Sequence, residues 1–343
     1  MSSGPSNRGI ICPDMRTLAR EMAPGSRVCV ALGIFDGVHV GHRRILAALS
    51  ELAKETDSVP VVLTFEPHPR ELFTGEPPLL LTTREQKLEL FEACGVSHVV
   101  IMNFTHELAG TPSETFLRQV FLESGLEVTG CCVGSNFRFG AGNEGSAESL
   151  EAWMRRNVKQ CRVLPSVEYE GAPVSSSRIR QALLAGEMAQ AAAMLGRRYS
   201  IRGVVQHGYG IGGRELSCPT ANLQEPGHPM PPEGVYAATA ILEPVARPPR
   251  PCGECSPSAS TEERQLKGIV YVGTAPTIKT DGEVVIELHL FDVNEDFYGK
   301  EIEVTFLDFI RESLRFDSRD ALMAQIEKDI AAARIILDND ERA

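Results

Sequence analysis

The stretch ALGIFDGVHVGHRRIL, residues 31–46, joins a buried apolar strand to an amphipathic helix through a glycine-containing turn. Two histidines, His39 and His42, stand where that helix begins. Free backbone N–H groups and the helix dipole favour an anion at this point, and Gly37 and Gly41 let the backbone approach it closely. The stretch predicts a phosphate site flanked by two imidazoles; a tight turn with two incidental surface histidines is the alternative. The helix that follows has one apolar stripe, made of Ile45, Leu46, Leu49, Leu52 and Ala53.

Strands and helices alternate through the first half of the chain. Apolar runs predict strands at residues 27–35, 61–65, 98–102, 128–134 and 161–165, separated by segments with helical periodicity. Because connections of this length join parallel strands, residues 1–195 are predicted to form a doubly wound α/β domain with helices on both faces of a parallel sheet. Ligands of such sheets bind at the carboxyl ends of the strands, where the opening stretch lies.

Two helices of this domain have recognisable start signals. Thr83 and Gln86 have the spacing of a capping box. Thr111 is predicted to cap the next helix, with Pro112 in its first turn and Glu114 closing a second box. Both helices are therefore expected to begin at positions set by their own local sequence.

The pattern changes near Gly196, where strand-forming segments replace the helices. The segments SIRGVVQHG, GVYAATAIL, KGIVYVG, VVIELHLFD and EIEVTFLDFI include alternating apolar and polar residues, as half-buried antiparallel strands do. Five or six such strands predict a small closed antiparallel β-barrel within residues 196–343. One terminal helix follows, with a predicted apolar stripe of Leu322, Ile326, Ile330 and Ala333.

The barrel region contains a polar, proline-rich insertion at about residues 244–265, predicted to be a flexible loop. Cys252 and Cys255 form a C-x-x-C pair within it. One such pair is at most half of a zinc site, and no second pair follows at a suitable spacing. A plain loop is the favoured interpretation.

Composition limits the class of protein. The chain has 34 basic and 46 acidic side chains and a formal net charge of -12, which argues against nucleic acid as a main partner. No apolar run approaches the length of a membrane span, and the first residues lack the apolar core of a secretory signal. Scattered cysteines suit a reducing compartment. We expect a cytoplasmic protein that acts on small molecules, without membrane or nucleic-acid partners; the sequence leaves its oligomeric state open.

A second candidate anion site lies at VSSSRIR, residues 174–180. Ser175, Ser176 and Ser177 precede a predicted helix, and Arg178 follows within it. One serine suffices for an N-cap, so the cluster also fits the β- and γ-phosphates of a nucleotide. Two anion sites on one parallel sheet indicate a nucleoside triphosphate; an ordinary cap is the alternative.

Several motifs together resemble one known family. GIFDGVHVGH and SSSRIR are similar to the signature pair of nucleotidyltransferases, and VLTFEPHPRELF, VGSNFRFGAGNEGS and CPTANL narrow the match. From about residue 27 to about residue 334, excluding the insertion, the chain resembles bifunctional bacterial riboflavin kinase/FMN adenylyltransferases, also called FAD synthetases. The resemblance implies an N-terminal nucleotidyltransferase domain that adenylylates FMN to FAD with release of pyrophosphate. It also implies a C-terminal barrel that phosphorylates riboflavin to FMN, with ATP as co-substrate and Mg²⁺.

For the first module, the resemblance implies that His39 and His42 stabilise the α-phosphate as pyrophosphate leaves. It places the leaving phosphates on Ser176, Ser177 and Arg178. Without the resemblance, the FEPHP motif indicates only a proline-stiffened loop. The nucleotide- and flavin-binding residues that the resemblance implies are Gly33, Phe35, Asp36, Gly37, Gly41, Pro67, His68, Asn136, Arg138 and Gly140.

For the second module, the resemblance implies that Thr220 and Asn222 hold Mg²⁺ and that Glu287 is the general base for the riboflavin 5′-hydroxyl. Hydroxyl and amide oxygens suit a magnesium ion that bridges ATP phosphates, and a carboxylate beside it suits proton removal. Ile286 and Leu288 flank Glu287, so an outward-facing strand residue is the alternative. Gly208 and Gly210 belong to a glycine-rich run that fits either an ordinary turn or a phosphate-binding loop, and further flavin contacts are implied at Arg315 and Phe316.

The kinase module departs more from the family pattern than the first module does. Ser217 and Cys218 stand where a glycine and an aromatic residue are usual, and Ala275 replaces an arginine. In the first module, Ser135 takes the place of an acidic residue before NFRFG. Two alternatives to a fully bifunctional enzyme stay open: only the adenylyltransferase module is active, or the chain is a non-catalytic flavin- or nucleotide-binding regulator.

Overall fold

The computed structural model describes residues 10–206, 220–224, 227–242, 265–274, 284–293, 295 and 297–340. The chain forms two compact units, with the first ending at Ser176 and the second beginning at Ser177. The division predicted at residues 195 and 196 stays a prediction. The insertion predicted at about 244–265 lies, apart from Gln265, outside the described residues.

The first unit is built on a six-stranded, wholly parallel sheet, which confirms the predicted fold class. Its strands are β1 (Ile10–Cys12), β2 (Arg27–Leu32), β3 (Val59–Glu66), β4 (His98–Asn103), β5 (Glu127–Gly134) and β8 (Gln160–Leu164). They lie in the order β1-β4-β3-β2-β5-β8. The five strands expected from sequence are present, and the short edge strand β1 is the one that the sequence does not predict.

The helices of this unit cover both faces of the sheet, so its apolar side chains are buried on both sides. Val30 packs in one core cluster with Trp153, and the next residue, Ala31, packs in the opposite cluster with Leu49. Trp153 is the only tryptophan of the chain. Its indole N–H donates a hydrogen bond to a Glu114 oxygen at 2.9 Å.

The predicted stripe of α2 and the predicted capping box of α4 are both confirmed. All five stripe residues are buried, and Thr83 and Gln86 exchange hydrogen bonds of 3.0 and 3.1 Å between side chains and backbone N–H groups. The helices of the first unit are α1 (Met15–Glu21), α2 (Val40–Glu55), α3 (Pro69–Thr74), α4 (Arg84–Ala93), α5 (His106–Ala109), α6 (Ser113–Phe121) and α7 (Ala147–Arg156). Two short hairpins complete it: β6 (Arg138–Phe139) with β7 (Gly145–Ser146), and β9 (Glu168–Tyr169) with β10 (Ala172–Pro173).

The start predicted for α6 is wrong. The Thr111 hydroxyl donates to a carbonyl of the preceding turn at 2.9 Å, and Pro112 takes the cap position without a side-chain hydrogen bond. Glu144 caps the helix from a distant loop, since its Oε1 accepts the Ser113 N–H at 2.7 Å. Glu114 closes no box because its carboxylate accepts the indole N–H instead.

The second unit is a closed six-stranded antiparallel barrel, which confirms the predicted class of the C-terminal half. Helices α8 (Ser176–Leu184) and α9 (Met188–Leu195) precede it. Its strands are β11 (Ser200–Gln206), β12 (Thr220–Leu223), β13 (Gly234–Leu242), β14 (Gln265–Thr274), β15 (Val284–Leu290) and β16 (Glu301–Arg311). The barrel order is β11-β12-β15-β14-β13-β16, with β16 pairing back to β11.

The terminal helix, α10 (Arg319–Asp340), packs against β13, β14 and β16. Its predicted stripe is only partly correct. Ala333 is buried and Ile330 packs against the same cluster, whereas Leu322 and Ile326 are only half-buried. Leu337 extends the buried stripe towards the end of the chain. None of the described helices is both long and apolar enough to cross a membrane.

Candidate active sites

A cleft of about 700 Å³ opens at the carboxyl edge of the parallel sheet. It lies where β2 and β5 end, at Leu32 and Gly134, and both residues line it. The strand order reverses direction at this point, since β3 and β4 follow on one side of β2 while β8 lies beyond β5 on the other. Ligands of doubly wound sheets bind at such a switch point, so this cleft is the candidate site of the first unit.

Phenylalanine rings form much of the apolar wall of this cleft. Phe65 and Phe73 pack edge-on against Phe104, with ring centroids 5.8 and 6.2 Å apart, and Phe137 stacks on Phe139 at 5.6 Å. Phe73 is 68% exposed, so aromatic surface is available to a ligand. A planar aromatic ligand with a polar end fits this distribution. The polar residues of the lining include His42, Asn136, Arg138 and Asn143.

The turn between β2 and α2 fixes the two histidines of the opening stretch. His39 is the N-cap of α2, and its Nδ1 accepts the His42 N–H at 3.4 Å, which leaves the ring proton on Nε2. The two imidazole rings stack, with centroids 3.6 Å apart and planes inclined by 17°. Gly41 leaves room for this stack, because a Cβ at that position would lie 3.1 Å from the His39 ring. The two rings are therefore presented together at the start of the helix.

The surroundings of His42 favour the neutral form of its ring. Burial lowers its pKa well below the usual histidine value, and the adjacent His39 lowers the pKa further. Its Nδ1 is buried, and no hydrogen-bond partner for it exists in the part of the chain that the structure describes. An unpaired buried ring nitrogen is costly unless a ligand or water satisfies it. The Nδ1 atom therefore needs a partner, which a ligand or a water molecule in the cleft would supply.

The loop after β5 supplies a second side of the cleft. Gly140 has a φ of 76°, and a Cβ on it would lie 2.8 Å from the backbone of Ser113, so the position requires glycine. This contact fixes the loop that carries the NFRFG motif. Of the residues predicted from sequence, the cleft brings together Gly33, Phe35, His42, Asn136, Arg138 and Gly140.

Other predicted residues of the first module form the frame of the site. Asp36 is 5% exposed, and its Oδ1 accepts the Leu81 N–H at 2.9 Å. His68 caps α3, with its Nδ1 accepting a backbone N–H of that helix at 3.1 Å. Pro69, next to His68 and two residues beyond the predicted Pro67, is the proline that lines the cleft.

The serine cluster spans the boundary between the two units in the chain. Ser176 ends the first unit, and its hydroxyl donates to the Asp36 carbonyl at 3.0 Å. Ser177 and Arg178 follow in α8, at the start of the second unit. Their role on the leaving phosphates stays a prediction.

In the barrel, three polar side chains are aligned across neighbouring strands. Asn222 on β12 is the register partner of Glu287 on β15, and Tyr271 on β14 is the partner of Glu287 on the other side. Register partners share a face of the sheet. Ile286 and Leu288 are buried on the opposite face, so Glu287 faces away from them, and it is half-buried there. Burial raises the pKa of Glu287, which makes its carboxylate a stronger base.

The remaining predicted residues of the second module are only partly described. Thr220 lies two residues before Asn222 in β12, in register with His289. Arg315 is exposed, and Phe316 is half-buried with the Arg311 guanidinium 5.8 Å from its ring centroid. Seven residues singled out in the sequence analysis lie outside the described residues: Gly208, Gly210, Ser217, Cys218, Cys252, Cys255 and Ala275.

Comparison with known proteins assigns both halves of the chain. A family model described as FAD synthetase matches residues 22–178, and one described as riboflavin kinase matches residues 195–337. The bifunctional riboflavin kinase/FMN adenylyltransferase of Escherichia coli (strain K12) is 34% identical over 316 residues, which cover 92% of this chain and 94% of that protein. The chain belongs to this bifunctional family.

Relatives of the same description extend to other bacteria. Those of Pseudomonas fluorescens and Bacillus subtilis (strain 168) are 34% and 30% identical, over 92% and 88% of this chain and 95% and 89% of theirs. A crystal structure titled macrolide-efflux protein, from Streptococcus pneumoniae, matches with a TM-score of 0.78 and 27% identity, covering 95% of this chain and 98% of that one. With both family domains present, the chain is an enzyme of flavin biosynthesis.

The sequence does not reveal every residue of the two candidate sites. It identified neither Phe65, Phe73 and Phe104 as a wall of the cleft nor Tyr271 as a neighbour of Glu287. A signal for the wall exists: Phe65 lies near the carboxyl end of β3 and Phe104 directly follows β4, where ligand contacts of a parallel sheet are expected. Tyr271 had no such signal, because its partner depends on the register of two strands.

Proposed function

We propose that the first unit transfers AMP from ATP to FMN and that the barrel transfers phosphate from ATP to riboflavin, so that one chain makes FAD in two steps. The observation that carries the proposal is the aromatic cleft lined on one side by His42, on whose ring His39 stacks. A flavin ring fits an aromatic wall, and a phosphate fits the start of α2. The predicted division gives residues 1–195 to the adenylyltransferase module, which thus extends past Ser176, the end of the first unit, and residues 196–343 to the kinase module.

In adenylyl transfer, an oxygen of the FMN phosphate bonds to the α-phosphorus of ATP. The bond from that phosphorus to the bridging oxygen of the β-phosphate breaks, and pyrophosphate leaves. Charge on the phosphoryl oxygens is stabilised by the N–H groups at the start of α2 and by the ring N–H groups of His39 and His42. His39 donates from Nε2, because its Nδ1 already accepts a backbone hydrogen bond. Positioning and charge stabilisation suffice, and no nucleophilic side chain is needed.

In the kinase reaction, the 5′-hydroxyl oxygen of riboflavin bonds to the γ-phosphorus of ATP and ADP leaves. Glu287 accepts the hydroxyl proton. Its raised pKa supports this role, since a stronger base takes a larger share of the proton in the transition state. Asn222, in register with Glu287, supplies an amide oxygen beside the carboxylate.

Thr220 and Asn222 are the residues proposed to hold Mg²⁺. Hydroxyl, amide and carboxylate oxygens are hard donors of the type that Mg²⁺ prefers, and the register of β12 with β15 aligns the Asn222 and Glu287 positions. When bound, Mg²⁺ neutralises charge on the ATP phosphates. Contacts of Ser177 and Arg178 with ATP phosphates, and of Phe316 with riboflavin, belong to the same proposal.

The test is a time course of purified chain with riboflavin, ATP and Mg²⁺, with the flavins separated by chromatography. FMN should appear first and FAD after it. Glu287→Gln should abolish FMN formation from riboflavin and leave FAD formation from added FMN intact. His42→Ala should do the reverse, lowering FAD formation by about 10²–10³-fold, the usual effect of removing one transition-state donor. Each variant is thus the folding control for the other.

Two outcomes would replace the proposal. FAD from added FMN without any FMN from riboflavin would mean that only the adenylyltransferase module is active, and would direct attention to the departures at Cys218 and Ala275. Flavin binding without either product would mean that the chain is a non-catalytic regulator.

A further inference from the structure

The turn that presents the two histidines has an unusual backbone. Phe35 and Val38 have φ values of 55° and 39°, in the left-handed region that bulky and β-branched residues avoid. Both side chains are fully buried. Such a conformation persists only where the surroundings impose it. Contacts that hold this turn therefore determine where His39 and His42 lie.

Asp36, between these positions, is bound from two sides. Its Oδ1 accepts the Leu81 N–H at 2.9 Å, and its carbonyl oxygen accepts the Ser176 hydroxyl at 3.0 Å. The next residue, Gly37, donates its N–H to the Thr82 hydroxyl at 3.3 Å. Asp36 is only 5% exposed, so its carboxylate is largely removed from water. The turn is thus attached to segment 81–82 and to Ser176.

Segment 81–82 is also connected to the His42 ring through packed aromatic side chains. Segment 81–82 leads directly into the cap of α4, and Phe91 of that helix packs edge-on against Phe35 with ring centroids 5.6 Å apart. Phe35 in turn packs against the His42 ring at 5.2 Å. A shift of segment 81–82 would therefore move Phe35 and, through it, the His42 ring.

We propose that Asp36 is a positioning residue for adenylyl transfer and that Ser176 supports it through the Asp36 carbonyl. The carboxylate acts as a hydrogen-bond acceptor within the fold, and its charge is not used on a ligand. The inference differs from the expectation that both residues bind nucleotide directly. It rests on the adenylyl transfer proposed for the first unit.

Two substitutions of Asp36 separate these roles. Asp36→Asn keeps an acceptor oxygen and removes the charge, whereas Asp36→Ala removes both. We expect Asp36→Asn to keep kcat for FAD formation within about threefold of the parent, and Asp36→Ala to lower kcat by at least about tenfold with little change in KM for FMN. The riboflavin kinase rate of the same chain should not change, which controls for folding and concentration.

Ser176 is tested through its coupling to Asp36. Ser176→Ala should also lower kcat for FAD formation, and the double variant with Asp36→Ala should lose less than the product of the two single effects. A phosphate-binding serine would instead raise KM for ATP, and its effect would multiply with that of Asp36→Ala. That second result would overturn the supporting role of Ser176.

Hydrogen exchange gives a readout that does not depend on activity. The Leu81 amide should exchange at least about tenfold faster in Asp36→Ala than in the parent, and at nearly the parent rate in Asp36→Asn. The proposal is overturned if Asp36→Asn loses as much kcat as Asp36→Ala, if Asp36→Ala keeps normal kcat, or if Leu81 exchange is unchanged. A parent chain that makes FMN but no FAD would refute adenylyl transfer itself, while the Leu81 exchange would still decide whether Asp36 holds the turn.

Discussion

Arg311 at the end of β16 and Asp329 in α10 form a forked ion pair. Arg311 Nε lies 2.9 Å from one oxygen of Asp329, and Nη2 lies 2.7 Å from the other. Gln325 donates a further hydrogen bond to the same carboxylate at 2.9 Å. Asp329 is 2% exposed, so these partners take the place of the water that surrounds an exposed carboxylate. The pair joins the terminal helix to the barrel.

Removing the guanidinium should therefore destabilise the second unit strongly. Arg311→Leu leaves a buried carboxylate without its counter-charge, which typically costs about 3–5 kcal/mol. Asp338→Asn is the matched control in the same helix, because the Asp338 carboxylate is 60% exposed and lies 3.5 Å from Lys267. Loss of that exposed pair should cost less than about 1 kcal/mol. Urea unfolding of the full chain, followed by circular dichroism, measures the loss of unfolding free energy in each variant. Equal losses would show that the buried ion pair contributes no more than the exposed one.

The exposed ring of Phe73 should contribute to flavin affinity more than to folding. Phe73→Ala should raise KM for FMN at least about tenfold, since burying such a ring against a ligand contributes roughly 1.5–3 kcal/mol, with little change in unfolding free energy. Leu122, 48% exposed at the end of α6, provides the control substitution Leu122→Ala. An unchanged KM in Phe73→Ala would exclude this wall from the flavin site.

The first unit should lose stability as the pH falls below neutrality. Burial lowers the pKa of His42 and of His98, so the unfolded chain binds protons that the folded unit does not. Lowering the pH through about 6.5, the usual histidine value, therefore favours unfolding, by up to about 1.4 kcal/mol per pH unit for each such proton. His98→Gln should reduce this slope when urea unfolding is compared at several pH values between 7 and 5. Parallel slopes for the parent and the variant would show that His98 is not involved.

Glu144, the distant cap of α6, should contribute more to stability than Thr111, the cap predicted from the local sequence. Hydrogen bonds from Ser113 lower the pKa of Glu144, so the stability they provide is present above the usual glutamate pKa and is lost as the pH falls through the lowered value. Glu144→Gln should lower the melting temperature of the first unit at neutral pH, and Thr111→Val should lower it less. A larger loss of melting temperature in Thr111→Val would instead support Thr111 as the cap of α6.

These contrasts show which parts of the fold can be predicted from sequence. The capping box of Thr83 and Gln86 is predictable because both partners lie within one helical turn. The cap of α6 is not, because Glu144 lies 31 residues from Ser113 and its approach depends on a loop conformation. The edge strand β1 has three residues, too few for any periodicity to be recognised.

The candidate sites likewise contain features that the local sequence predicts and features that depend on distant contacts. Histidines beside glycines at a strand–helix junction are visible in the sequence, because the local pattern that places them also implies an anion. Whether Asp36 meets a ligand or holds a turn depends on Leu81, which is 45 residues away. The face of the barrel that carries Glu287 follows from alternation, but its neighbours Asn222 and Tyr271 follow only from strand register.

Because the chain has a single tryptophan, tryptophan and tyrosine fluorescence can report separately on its two halves. Trp153 lies in the core of the first unit, whereas the second unit has, in the full sequence, Tyr199, Tyr209, Tyr236, Tyr271 and Tyr298 and no tryptophan. Selectively excited tryptophan emission should therefore follow the melting of the adenylyltransferase half alone, and the tyrosine signal mainly the melting of the kinase half. Comparing the two in one sample would reveal whether the halves of this enzyme unfold together or independently.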